Sequence, residues 1–197
     1  MEQMLCCQCE QSVGPDGCTV AGNCGKDART AALQDLVLHA CKAVSVYAHR
    51  ARVMGVVDNN VDMAVVEGLF ATVTNVNFDP DRLAKLIDRL DRARTVAKGL
   101  YEKACQASSK AIESTNGATR WVPAADLEGL VKQGQSVGLR DRLVRHGKDI
   151  TALRELLLYG VKGTAAYADH AHILGRDSND IYGFFHEALA VLDGEKH

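Results

Sequence analysis

The chain is written in three- and four-residue steps. From Thr30 to Met54, apolar positions fall at Leu33, Leu36, Val37, Ala40, Cys41, Val44, Tyr47, Ala48 and Ala51. That spacing predicts a helix of more than five turns with one continuous apolar stripe. A second helix is predicted over 60–74, with Val61, Ala64, Val65, Gly68, Leu69 and Thr72 on one face. Asp79-Pro80 reads as a cap followed by proline in the first helical position. The helix it opens carries Leu83, Leu86, Ile87, Leu90, Ala97, Tyr101 and Ala104. Three helices joined by short loops predict an antiparallel bundle over 28–110. Residues 108–123 lose the periodicity, and Ser114-Thr115-Asn116-Gly117 has the composition of a turn. A linker with one short helix near 126–132 is expected over 111–148. The helical pattern resumes over 149–174 with Leu153, Leu156, Leu157, Val161, Thr164 and Ala168, and again over 179–192. The expected fold class is all-α.

Part of the pattern occurs twice. Residues 32–55 read ALQDLVLHACKAVSVYAHRARVMG and residues 152–175 read ALRELLLYGVKGTAAYADHAHILG, with nine of 24 positions identical at a constant offset of 120. The register continues through Asp58/Ser178, Asn59/Asn179, Glu67/Glu187 and Leu69/Leu189. The first copy adds a third helix from Pro80. A third helix in the second copy would begin at about position 200, so the second bundle, 149–197, is expected to be incomplete. Either a partner supplies that helix, or the chain is a piece of something longer. A second unit of only two helices is the alternative.

Composition narrows the class. Of 197 residues, 47% are hydrophobic and 24% charged, enough to bury a sizeable core. A net charge of −2 gives no basic surplus to attract nucleic acid or acidic lipid. No apolar run approaches the length of a membrane span. Met1-Glu2-Gln3-Met4 lacks the features of a secretory leader, so a cytoplasmic location is expected. Seven cysteines in a reducing compartment point to metal or redox chemistry before disulfides.

Five of those cysteines lie between Cys6 and Cys24. Cys6, Cys9, Cys18 and Cys24 form C-x2-C-x8-C-x5-C. Four thiolates in one short loop can enclose a cubane iron–sulfur cluster. Gly14, Gly17, Gly22 and Gly25 are interleaved; they permit tight turns and let backbone amides approach cluster sulfurs. Lys26 adds positive charge beside an anionic group, and Asp27 is placed to cap the first helix. Residues 1–27 thus read as a cluster-binding loop. A four-cysteine zinc site usually pairs two short gaps and fits the last interval less well. Disulfides remain a further reading. Cys7 is a spare thiol beside the loop and a candidate oxidation site. Cys41 and Cys105 sit on helical stripes and read as packing residues.

The histidines build no metal motif. His170 and His172 are two apart and do not share a helix face. His186-Glu187 does not begin the zinc-protease pattern, and no Glu-x-x-His pair of the di-iron type occurs. All seven read as surface or locally satisfied residues. No glycine-rich nucleotide motif and no serine-nucleophile elbow is present.

LCCQCEQSVGPDGCTVAGNCGKD followed by ALQDL resembles the N-terminus of the hybrid cluster proteins, also called hydroxylamine reductases. So do EGLFATVTNVNFD and LRELLLYGVKGTAAYADHAHILG with the FFHEAL that follows. The resemblance covers almost the whole chain. It implies that Cys6, Cys9, Cys18 and Cys24 bind a [4Fe-4S] cluster, and that the helices form two three-helix bundles. In that family two α/β domains follow, and they hold most ligands of a hybrid iron–sulfur–oxygen cluster at which hydroxylamine is reduced to ammonia. Those domains and the His, Glu and Cys ligands they carry have no counterpart here. The resemblance therefore implies hydroxylamine reductase for the full-length family member and only part of that machine for this chain; an electron-transfer module, with no catalytic residue, is the expectation. The expected partners are a redox donor protein and the missing α/β domains or a separate α/β subunit, with no nucleic acid or membrane. With such a subunit the chain would complete a hydroxylamine or nitric oxide reductase. A zinc-stapled helical interaction module is the remaining alternative.

Overall fold

The computed structural model describes residues 4–9, 11, 12 and 17–194. Among the described residues, seven helices carry the fold: α1 (Ala28–Val53), α2 (Asn59–Ala71), α3 (Pro80–Ala107), α4 (Leu127–Val137), α5 (Leu139–His146), α6 (Lys148–Ile173) and α7 (Asn179–Asp193). A single 3₁₀ turn, Gly117–Arg120, interrupts the segment between α3 and α4. Among the described residues the only β pairing is one antiparallel bridge between Cys6 and Cys18. The class is all-α.

The helix starts follow from side-chain chemistry. Thr30 N–H donates to Asp27 Oδ1 at 2.7 Å, satisfying one of the orphan amides of α1. Asp58, Asp79, Asp126 and Ser178 cap α2, α3, α4 and α7 in the same way. Pro80 occupies the first turn of α3, where its missing N–H costs nothing. In contrast, α5 and α6 begin at Gly138 and Gly147, without a side-chain cap.

The stretch expected to be linker is more helical than its sequence suggests. α4 runs on to Val137, and α5 follows at once. α5 escapes periodicity because one of its two buried positions is a charge: it buries Leu139 and Arg142. The Arg142 guanidinium pairs with Glu155 of α6 at 2.8 Å and with Asp35 of α1 at 3.4 Å. An arginine that ties three helices together counts as polar in any hydrophobic pattern.

The repeat is visible at the corners. α1 ends at Gly55 (φ +81°) and α6 at Gly175 (φ +71°), the left-handed conformation that glycine adopts without steric cost. Val56 N–H returns to Ala51 O at 3.0 Å, and Arg176 N–H to Ala171 O at 2.9 Å. The residues capping the next helices have nearly the same backbone, Asp58 at φ −142°, ψ 116° and Ser178 at φ −140°, ψ 111°. The two hairpins cross: α1 packs on α7, and α2 packs on α6. Exchanging residues 120 apart turns one of these contacts into the other.

One hydrophobic core runs through α1, α2, α3, α4, α6 and α7. α1 is its centre, packed by α3, α7, α4 and α2, with Leu33, Leu36, Val37 and Val44 fully buried. Each such side chain contributes about 1.5–3 kcal/mol by leaving water. α3 buries a narrower stripe of Leu83, Ile87, Leu90, Ala97 and Tyr101. α6 buries Leu158, Val161, Ala165 and Ala168, while Leu153, Leu156, Tyr167 and Leu174 lie exposed along it.

A buried polar clamp joins the two hairpins. Arg52 Nη2 donates to both Asp62 oxygens, at 2.7 and 2.6 Å. His186 Nε2 lies 2.8 Å from Asp62 Oδ1, and its Nδ1 lies 3.1 Å from Ser45 Oγ. A carboxylate only accepts, so Nε2 carries the proton and Nδ1 accepts from the serine hydroxyl. Burial alone would raise Asp62, but the bonds from His186 and Arg52 hold it below the usual carboxylate range. Burial pushes His186 down, which keeps it neutral.

Candidate metal centre

The cysteine loop is seated on the start of α1. Met4, Cys18 and Ala31 form a small apolar cluster of their own, with Cys6 and Ala28 against it. Cys6 N–H donates to Cys18 O at 3.0 Å, and Cys18 N–H to Cys6 O at 2.9 Å. This pair of bonds brings the first and third cysteines of the motif face to face. Cys9 O accepts from Ser12 Oγ at 2.8 Å, turning the chain after the second. Gly22 N–H donates to Lys26 O at 2.7 Å, which closes the turn around Cys24.

The outcome is convergence. Cys6, Cys9, Cys18 and Cys24 all border one small cavity, closed by Ser12, Gly22, Asn23, Lys26 and Thr74. Cys7 is exposed and points elsewhere; its Sγ lies beside Gly17. Two glycines make room. At Gly17 (φ +81°) a Cβ would stand 2.5 Å from Cys7 Sγ and 2.8 Å from Cys6 O. At Gly22 a Cβ would meet Cys24 Sγ at 3.0 Å. Gly14 lies outside the described residues.

Positive charge accumulates behind the loop. Lys26 is buried. Lys162 of α6 is buried too, and its Nζ donates to Gln8 Oε1 at 2.5 Å, inside the Cys6–Cys9 step. Both lysines border a second small cavity with Cys6, Asp35 and Thr72. Burial pushes the Cys6 thiol up, against the opposing pull of Lys26 and Lys162. Burial, with Lys26 nearby, pushes Lys162 down to about 8.

The donor set is four soft sulfurs, which suits iron–sulfur, zinc or copper(I) chemistry. No cysteine is paired in a disulfide. Among the described residues, no three Cys, His, Asp or Glu side chains are grouped closely enough for one metal ion. The glycine-lined cavity and the cations behind it fit an anionic, thiolate-held group.

The other candidates lie apart from this loop. Cys41 and Cys105 are buried in the helical core, the latter with its Sγ 3.9 Å from Met54 Sδ. His39 packs edge-on against Trp121, His170 edge-on against Phe70, and His172 Nδ1 lies 2.7 Å from Asp177 Oδ1. His186 belongs to the buried clamp, and His197 lies outside the described residues. Sequence reasoning missed Lys162 and Thr74. Lys162 had one available signal: it is identical with Lys42, the only charged identity between 32–55 and 152–175.

The pattern of the Prismane/CO dehydrogenase family matches residues 4–197. The chain belongs to the Prismane/CO dehydrogenase family. Within it, the chain is 46% identical over 190 residues to a hydroxylamine reductase of Geobacter metallireducens, covering 95% of this chain and 34% of that protein. A hydroxylamine reductase of Rhodospirillum rubrum is 43% identical over 96% of this chain and 34% of its own length. One from Methanocella arvoryzae is 40% identical over 98% of this chain and 35% of its own length. The chain thus spans about a third of the length of these Prismane-family relatives.

Proposed function

We propose that this chain is an iron–sulfur electron-transfer module, with Cys6, Cys9, Cys18 and Cys24 as the thiolate ligands of a [4Fe-4S] cluster. The observation that carries the reading is that these four cysteines, and not Cys7, line one cavity. When bound, such a cluster takes up and releases one electron at a time. The chain's own residues do the rest. The Cys6–Cys18 bridge fixes the two halves of the loop, Gly17 and Gly22 keep space open, and Lys26 and Lys162 set positive charge against the thiolates. Loop amides beside the sulfurs add hydrogen-bond donors that tune the potential. With all four irons held by thiolate, such a cluster would leave no open iron site for a substrate, so the chain passes electrons and does not itself reduce hydroxylamine. A redox donor protein in the cytoplasm is the source of the electron.

The second reading makes the chain the N-terminal part of a complete hydroxylamine reductase, joined to α/β domains in the same or a separate subunit. Two observations favour it. The relatives are about three times as long, and α6 leaves Leu153, Leu156 and Tyr167 exposed in one line, where a third helix of the second bundle would pack. A zinc-stapled module gains less support, because a four-cysteine zinc site usually pairs two short gaps and the last interval fits less well.

The test is an anaerobic reductive titration of the purified chain with dithionite, followed by EPR. The reading expects about one electron per chain, a reduced-cluster signal, and no consumption of hydroxylamine by the reduced chain alone. Hydroxylamine turnover by this chain would overturn the module reading; absence of any redox-active group would overturn both.

A further inference from the structure

We infer that Lys162, from the middle of α6, sets the reduction potential of the group held by the four cysteines. The inference rests on the reading of those cysteines given above. Lys162 follows Gln8 by 154 positions, yet its Nζ reaches Gln8 Oε1 at 2.5 Å. Gln8 lies between Cys6 and Cys9, so the ammonium is delivered into the two-residue step of the ligand motif. The side chain is 3% exposed. Removing an ammonium from water is costly unless an anion faces it.

The carboxylates around this site do not balance its cations. Lys26, Lys162 and Arg142 face the carboxylates Asp35 and Glu155. Arg142 engages both carboxylates directly, through Oδ1 of Asp35 at 3.4 Å and Oε1 of Glu155 at 2.8 Å. Positive charge is left in surplus on the side where the thiols converge. Four thiolates around a cluster are the anion this surplus fits.

The consequence is electrostatic. Each electron added to the bound group adds a negative charge. A fixed cation nearby stabilises the reduced form more than the oxidised form and raises the potential. Burial keeps salt from screening it. The repeat provides an internal control. Lys42 is the same residue, also buried, 120 positions earlier. Its charged neighbours are Arg142, Asp193, Glu155 and Arg154, none of them in the cysteine loop.

The experiment is an EPR-monitored redox titration, at one fixed pH, of the wild-type chain and of Lys162→Gln, Lys42→Gln and Gln8→Ala. Iron and sulfide are measured on each protein first. Iron and sulfide in the wild type test the reading of the cysteines; the potentials test the role of Lys162. Lys162→Gln is expected to carry wild-type iron and to shift the oxidised-to-reduced ratio about tenfold toward oxidised at a given potential, a midpoint 59 mV lower for one electron. Gln8→Ala, which keeps the charge, and Lys42→Gln are expected to titrate with the wild type. A Lys162→Gln chain at wild-type potential overturns the inference, and so does an equal shift in Lys42→Gln. Loss of iron from Lys162→Gln alone also overturns it, since Lys162 would then hold the loop and not set the potential.

Discussion

α1 and α6 share nine of 24 residues at matched positions, yet they live in different surroundings. Leu33 and Leu36 are 0% exposed in α1; their counterparts Leu153 and Leu156 are 64% and 69% exposed in α6. Tyr47 is 8% exposed and Tyr167 79%. The helices themselves are alike in length and end in the same glycine turn. The difference lies in their neighbours. α3 and α4 lie along α1, and no described element lies along the matching stripe of α6. An apolar stripe therefore records what a helix is built to bury, and its partners decide whether burial happens. On α6 the stripe is complete and the cover is not.

The strongest way to break the comparison is a matched pair of truncations. Leu36→Ala opens a cavity at the centre of the core and is expected to cost about 2–5 kcal/mol. Leu156→Ala, at the equivalent position of α6, is expected to stay within about 0.5 kcal/mol. Urea melts of the two variants against the wild type check this. A similar loss in both would mean that the α6 stripe is covered in solution.

A second contrast is in titration. His39 of α1 corresponds to Tyr159 of α6. Burial, with Lys42 and the arginines of α5 nearby, pushes His39 down to about 4 from its usual 6.5. The folded state holds the neutral ring while the unfolded chain takes a proton below pH 6.5. The contribution is therefore complete above pH 6.5 and is lost as the pH falls toward 4. About 3 kcal/mol is expected to disappear over that window, given 1.36 kcal/mol per pKa unit. His39→Gln should flatten the slope and leave the part due to His186, which burial also holds below its ordinary value. An unchanged pH profile in that variant would remove His39 from the account.

The smallest expected effect separates the helix starts. α1 begins at a capping aspartate, and α6 at Gly147 with no side-chain cap. Asp27→Ala is expected to cost about 1 kcal/mol, read from the same melts. No change would mean that the cysteine loop, and not the cap, fixes the start of α1.

Much of this was legible in the sequence, for identifiable reasons. Helix periods, the Asp27, Asp58 and Asp79 caps and the glycine at each corner are local signals, and α1, α2, α3, α6 and α7 fall within a few residues of where those signals put them. That Cys6, Cys9, Cys18 and Cys24 line one cavity was within reach of the sequence because all four lie in one short stretch. α5 was not, since its buried Arg142 is satisfied only by Asp35 and Glu155 from other helices. The same holds for His186, whose partners Ser45 and Asp62 are more than 120 positions away. Lys162 and Thr74 reach the loop only through the packing of α6 and of the α2–α3 connection. Residues whose partners are distant in sequence look like ordinary surface polar residues until the chain is folded.

The central claim is that four cysteines hold an iron–sulfur cluster. It is tested most directly by iron, acid-labile sulfide and zinc per chain on anaerobically purified protein, with Cys9→Ser, Cys18→Ser and Cys7→Ser beside the wild type. The account predicts about four irons and four sulfides in the wild type and in Cys7→Ser, and their loss in Cys9→Ser and Cys18→Ser. One zinc without sulfide, or full iron content in Cys9→Ser and Cys18→Ser, would contradict it.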